Sequence, residues 1–499
     1  MCITVVWTGS GPRRVGGHLS LWGSVRRMPG NNAQSLFTNA AFLVSARLLP
    51  RLLQSGYMIF LARRLGPELY GLFVYGQSWY LSLLPLTSFG IYLLLSKTIG
   101  TNPAAAPGAL AYTLAFRVGV ATAAALLSAG AAYFCEPDPI ARVLLFVFSL
   151  ALLGRAIVLW TEHAFIAFES AHYALRSELC FRLIESGVGI LLLVWGSKVL
   201  PIAILHALVW WLQAIAALRI IHRRLAPVGL HCTWQRAREL LVSGWPLSLN
   251  IFCIGFLLQG PMVLYRSLAP SELHIGQMAV PLQAFAILAI LPTAVSGAAL
   301  PVLARLGRSS SGEDVRVIQT MIRLGYGFGA VVGLIGLALG SWLVKGILGV
   351  RYTMAGEFIG PALWLVIPYT CGSVLTSLAL VQGRIRPAVM CSAGGALALV
   401  AAVPLLTGWW ENAGVIVATA VALSCWVGLL LAMGAGNLTV CVIRPMSWVC
   451  IALATYIIVV PHSALLALGG SLLILLCSAP LLGIVQPNEL QAIRQRYGF

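Results

Sequence analysis

Apolar runs of about twenty residues follow one another from residue 36 to residue 485, separated by short polar stretches. A run of that length crosses the hydrocarbon layer as a helix, and in lipid each backbone polar group has to be satisfied inside the chain. The spacing predicts spans at 36–61, 72–95, 109–134, 141–165, 179–197, 201–221, 242–265, 275–300, 324–345, 358–381, 388–408, 414–436, 446–461 and 464–485. That is about fourteen transmembrane helices, an all-α integral membrane protein. Only 9% of the residues are charged, against about a quarter in a soluble protein, so no sizeable soluble domain fits.

The formal net charge of +18 would suggest nucleic acid on a soluble protein. Here topology explains most of it. Of the 32 Lys and Arg, twenty fall on one side of the predicted spans and seven on the other. Lysine and arginine concentrate on the cytoplasmic side, which places both termini in the cytoplasm. The longest basic loops are 219–241 and 304–323, and they read as topology-setting segments that also meet anionic headgroups. The eleven cysteines form no CxxC pair and no metal-ligand cluster, which argues for packing rather than disulfides. Residues 1–27 lack the apolar core of a signal peptide; they read as a basic tail or as an overlong start before Met28.

The remaining five arginines, Arg47, Arg51, Arg117, Arg155 and Arg182, lie inside apolar runs of the first half. The corresponding runs of the second half carry no Lys, Arg, Asp or Glu. A charge within the bilayer costs a few kcal/mol or more and faces protein or a wet cavity rather than lipid. Several cations in one lobe suggest a cavity for an anion.

An internal repeat divides the chain. LLQSGYMIFLARRLGPELYG (52–71) resembles LLQGPMVLYRSLAPSELHIG (257–276), so that Gln54 aligns with Gln259 and Gly71 with Gly276. Two halves in parallel orientation, with a site between them, are a common transporter plan. The expected divisions are a basic tail at 1–35, a first lobe at 36–221, a connector at 222–241, a second lobe at 242–436, and two added helices within 437–499.

Five further stretches, FLARRLGPELYGLFVYGQSW (60–79), LTSFGI (86–91), SGWPLSLN (243–250), ALPVLARL (299–306) and LALVQGRIRPAV (378–389), carry a resemblance to a known family. Through them the chain resembles the polysaccharide or oligosaccharide flippases (Wzx-like) of the multidrug/oligosaccharidyl-lipid/polysaccharide exporter superfamily. The resemblance implies a two-lobed bundle in the bacterial inner membrane that moves an undecaprenyl-pyrophosphate-linked oligosaccharide to the periplasmic leaflet. It further implies membrane lipids, a polysaccharide polymerase and glycosyltransferases as partners. Relatives often carry an acidic residue near the end of the seventh helix, where this chain has Gln259.

Arg47 and Arg51 are spaced i, i+4 on the first helix, with Gln54 along the same face and Pro50 between them. Guanidinium suits pyrophosphate because it stays charged and donates in a fork. The other reading is a pair bonding backbone carbonyls or a carboxylate. Arg117 and Arg155 come next as substrate-binding candidates. Glu162, seven residues after Arg155 and beside His163, either couples proton movement to transport or neutralises an arginine. Arg182 and Glu185 read as a local ion pair or as snorkelling side chains. In the second lobe Asn250, Gln259 and Gln283 either contact sugar hydroxyls or hold helices together.

HExxH and GxxxxGK[ST] are missing, and nothing calls for an enzyme, a cofactor or a metal. Three alternatives to the polysaccharide flippase stay open. They are a lipid II flippase, an ion-coupled small-molecule exporter and a non-transporting polymerase or ligase. Arginines suit cationic drugs poorly, and short periplasmic loops suit a polymerase poorly.

Overall fold

A computed structural model describes residues 33–293 and 313–433, with scattered positions between 442 and 475. The chain divides into two compact units, Met1–Ser45 and Ala46–Phe499. The second unit contains both lobes and the charged site.

The described residues form helices and connecting turns. In order these are α1 (Ala33–Leu83), α2 (Ile91–Thr101), α3 (Ala106–Cys135), α4 (Pro139–Ala167), α5 (Ala171–Val194) and α6 (Val199–Arg224). They continue as α7 (Trp234–Tyr265), α8 (Glu272–Leu288), α9 (Glu313–Leu348), α10 (Thr353–Trp364), α11 (Val366–Val381) and α12 (Ile385–Ala432). Among the described residues eight helices are long and apolar enough to cross a membrane, or nine if the bent α1–α2 pair counts as one span. The expected spans 446–461 and 464–485 lie largely outside the described residues.

Local chemistry sets several boundaries. Asp138 caps α4 by accepting from Ile140 N and Ala141 N at 3.1 and 3.2 Å, and Pro139 follows at the first helical position. The last turn of α6 carries His222, Arg223 and Arg224, where cations offset the partial negative charge of the helix end.

Breaks carry as much of the architecture as the helices do. Within α1 the backbone turns at Gly66 (φ +73°), a conformation open to glycine, and Pro67 starts the next segment. The α1–α2 junction bends by 45° through Leu84–Thr87, with Phe89 and Gly90 both at positive φ. α12 folds back on itself at Trp410–Glu411, so that Gly394 and Gly395 lie against Leu429 and Trp426. Pro246, Pro261 and Pro281 lie inside the helices α7 and α8.

Two buried apolar clusters make two lobes. One is built chiefly on Leu61, Phe73, Tyr80, Phe148, Trp160 and Trp210, the other on Leu257, Phe285, Tyr369, Leu399, Leu423 and Trp426. The two lobes meet along the second segment of α1 and α8. Gly71 and Gly276, aligned by the sequence repeat, touch directly: a Cβ on Gly71 would lie 2.6 Å from Gly276 N, and one on Gly276 would collide with Pro67 O. Further along the same seam Gln283 donates to Gln77 at 3.5 Å.

Candidate functional site

The first lobe holds a chain of charged side chains that starts near its surface and ends in its interior. α5 aligns Glu178, Arg182 and Glu185 at i, i+4 and i+7, which is one face of a helix. α6 meets that face with His206, Trp210 and Gln213, again one face. Arg155 and Glu162 enter from α4. Arg155 Nη1 reaches Glu162 at 3.0 Å and Glu178 at 3.5 Å. Arg182 pairs with Glu185 and lies 3.8 Å from Glu178. Gln213 donates to Glu178 at 2.7 Å.

At the inner end, His206 Nδ1 lies 2.6 Å from Glu185 and Nε2 lies 2.9 Å from the Tyr80 hydroxyl. Trp210 Nε1 donates to that same Nε2 at 3.0 Å. An indole N–H can only donate, so Nε2 accepts and the ring proton sits on Nδ1, directed at Glu185. The indole of Trp210 also carries both guanidinium groups, with Arg155 and Arg182 4.2 and 3.9 Å from ring centroids.

Arg117 is fully buried and serves the backbone. Its Nη1 donates to Thr87 O at 2.5 Å and its Nε to Ala156 O at 3.1 Å. Thr87 ends the one-turn break before α2, where carbonyls lose their helical donors. Ser248 of α7 supplies the others, donating to Pro85 O and Leu86 O at 3.1 and 3.0 Å. LTSFGI and SGWPLSLN, two of the stretches that carry the family resemblance, thus touch across the lobes.

The structure brings Arg155, Glu162 and Arg182 together and sets Arg117 on the break beside them. Arg155 and Arg182 face three carboxylates, Glu162, Glu178 and Glu185, whereas Arg117 bonds backbone carbonyls. The side chains of Arg47 and Arg51 lie outside the described residues. Gln54 is half-buried on α1. His163 packs on Tyr92, 5.4 Å between ring centroids. Asn250 is buried and accepts from Ser392 at 3.0 Å, whereas Gln259 is half-buried with no hydrogen bond among the described residues. Arg182 is paired but does not snorkel, being 1% exposed. Sequence reasoning missed Glu178, His206, Trp210 and Gln213, although their helical spacing marks two facing polar stripes.

The end of the molecule away from the basic loops is closed by a second charged group. Arg266, just past α7, pairs with Glu272 and reaches Glu136 at 3.2 Å and Asp138 at 3.6 Å across the lobes. Tyr75 donates to Glu136 at 3.0 Å. Burial works against the Arg266 charge, but hydrogen bonds and attraction from Glu272 and Glu136 outweigh it and raise its pKa. Gln277 donates to Arg351 O at 2.6 Å and accepts from Ala355 N at 2.9 Å. Tyr352 donates to Ala62 O at 2.9 Å and packs on Tyr70. Tyr70 is buried.

The family described as "Polysaccharide biosynthesis protein" matches residues 36–307, more than half of the chain. The chain belongs to this family. No curated protein matches it in sequence. Among solved structures it is similar to the lipid II flippase MurJ in an inward closed conformation, with a TM-score of 0.62 and 13% identity over 90% of this chain and 98% of that one. It is also similar to an inward-facing MATE family multidrug transporter of the MOP superfamily (TM-score 0.61, 11% identity, 80% and 98% covered). The eukaryotic MATE transporter AtDTX14 follows (TM-score 0.58, 16% identity, 78% and 91% covered). At these identities the likeness is one of fold. The chain's long apolar helices make it a multi-pass membrane protein, helical throughout the described residues, with the fold that these solved structures share.

Proposed function

We propose that the protein moves a polyprenyl-pyrophosphate-linked oligosaccharide from the cytoplasmic to the periplasmic leaflet of the bacterial inner membrane, for surface polysaccharide assembly. Its family and the MOP fold support a flippase. The observation that carries the reading is the confinement of intramembrane cations to one lobe, with Arg155 paired to two carboxylates at the edge of the network. Glu162 is the more exposed of the two, its side chain 29% accessible against 18% for Glu178. A pyrophosphate needs a guanidinium, and Arg155 becomes available when Glu162 lets go. Protonation of Glu162, next to His163, does that, so that cargo and proton exchange for one another at a single arginine. Arg47, Arg51, Gln54 and Arg117 extend the anion site in this reading, and Asn250 and Gln259 of the second lobe meet the glycan.

The excess of Lys and Arg in the loops next to α6, α7 and α12 supports a cytoplasmic location for both termini. The Arg266 cluster then closes the periplasmic side, and rocking of the lobes opens it. The fold shared with MurJ favours lipid II as the second reading, since that cargo carries the same pyrophosphate.

The test is flipping of labelled undecaprenyl-pyrophosphate oligosaccharide in proteoliposomes, run beside labelled lipid II. Arg155→Ala and the pair Arg47→Ala plus Arg51→Ala should each lower flipping at least tenfold. Glu162→Gln should abolish its dependence on a proton gradient. Flipping of lipid II alone would reassign the cargo, and full activity of the arginine variants would remove the anion site.

A further inference from the structure

The connector between α6 and α7 folds into a pocket that the flippase reading leaves unused. Residues Val228–Leu230 share with the end of α6 and Leu114 of α3 the lining of an open pocket of about 320 Å³. Gly229 lies against Ala111, and the guanidinium of Arg236 sits 5.2 Å from the Tyr112 ring, which together pin the connector to α3. Arg219, His222 and Arg223 line the cavity, and no carboxylate does. Neither guanidinium has a hydrogen bond or ion-pair partner among the described residues. His222 Nδ1 accepts from Val228 N at 3.1 Å, so its proton is on Nε2.

The same face of α6 continues into the bilayer as Leu208, Leu212 and Ile215, between 43% and 54% exposed. Positions 208, 212, 215, 219 and 222 recur every three or four residues and fall in one stripe. From Leu208 to Arg219 the stripe rises roughly 16 Å at about 1.5 Å per residue, which is the depth of one leaflet of a hydrocarbon layer about 30 Å thick. An apolar track one leaflet long that ends in an open cationic pocket has the chemistry of a single anionic lipid.

We propose that this pocket holds the phosphodiester headgroup of an anionic bilayer phospholipid, with an acyl chain laid along Leu208–Ile215. The two arginines and His222 donate to the phosphate, and the connector is fixed by the lipid it covers. Charge complementarity chooses the occupant, since a zwitterionic headgroup brings its own cation into a site that already has three basic groups. The site stands apart from the transport reading, because it is read out by lipid retention in protein that is not transporting.

The full-length protein, purified in detergent, is titrated with phosphatidylglycerol or phosphatidylcholine, and bound lipid is counted by native mass spectrometry. Wild type should retain phosphatidylglycerol about tenfold more tightly, since each surface arginine contributes on the order of 1 kcal/mol toward anionic lipid. Arg219→Gln with Arg223→Gln should bring the two lipids within twofold of each other. Leu230→Glu, which keeps all three basic groups but adds a carboxylate to the wall, should do the same. Arg384→Gln with Arg386→Gln, on another basic loop, should leave the preference intact. Equal retention by wild type overturns the proposal. So does displacement of the phospholipid by inorganic phosphate, which would make the pocket a free-anion site. Displacement by undecaprenyl pyrophosphate at lower concentration overturns it in favour of a cargo-loading site.

Discussion

The two lobes share a helical plan and differ in what they bury. The first closes three arginines, three glutamates and a histidine among α3, α4, α5 and α6. The second closes hydroxyls and amides. There Thr370, Ser377 and Thr419 donate to carbonyls one turn back, at 2.6, 3.0 and 2.7 Å, and Tyr265 bonds Asn412. The three hydroxyl bonds are local, within one helix, and tolerate loss. The ionic network joins α4, α5 and α6, and each carboxylate in it faces a cation. The fold therefore needs neither set of polar residues in a particular lobe, and the asymmetry points to a task performed by charge.

The largest expected effect comes from unbalancing that network. Arg182→Ala leaves Glu185 buried without its cation, and breaking a buried pair from one side costs about 3–5 kcal/mol. Thermal unfolding in detergent should show a correspondingly large loss. The paired change Arg182→Met with Glu185→Leu removes both charges and should recover much of it. If the single variant unfolds no earlier than the paired one, the network is solvated and the contrast between the lobes collapses.

Next in size is the seam where the lobes touch. Gly276→Val forces a side chain onto Pro67 O, and overpacking of this kind costs about 1–3 kcal/mol. It should lower the unfolding temperature, whereas valine at Gly408, which has open space around it, should not. Equal effects at the two glycines would remove the direct contact between the repeats.

The Arg266 cluster sets the third. Arg266→Ala releases Glu136, Asp138 and Glu272 at once. Asp138 and Glu272 are partly exposed while Glu136 is buried, and because the cluster spans the two lobes the effect is read on conformation. A cysteine in place of Ala279, buried on α8, should react several-fold faster with an impermeant maleimide when Arg266 is also replaced. Unchanged labelling would mean that the ion pairs only decorate a seal made by Gly71, Gly276 and Tyr352.

Much of the helical plan was legible because apolar length is a local signal. Gly71 and Gly276, which the sequence alignment of 52–71 with 257–276 pairs, are in direct contact. The site was legible in its members and hidden in its pairing. Arg155 and Glu162 share a helix face, so their contact follows from spacing. Glu178 and His206 come from other helices, and only packing decides that they meet Arg155 and Glu185. Arg117 shows the same limit. Pro85 and Gly90 mark a break in the sequence, but which donor satisfies the freed carbonyls depends on where α3 and α7 lie.

The smallest prediction concerns Asn250, which the sequence leaves between two roles. Its Oδ1 accepts from Ser392 Oγ, and Ser392 also donates to Val389 O, 3.0 Å in each case. Interhelical hydrogen bonds in membranes average about 0.6 kcal/mol, so Ser392→Ala should destabilise by roughly that amount. It removes the partner of Asn250 but leaves the amide in place for a sugar. Cargo binding should therefore survive Ser392→Ala and weaken in Asn250→Ala. Equal loss of binding in both would make the pair one helix contact with no direct part in recognition. The second lobe would then be a neutral wall against which the charged lobe works.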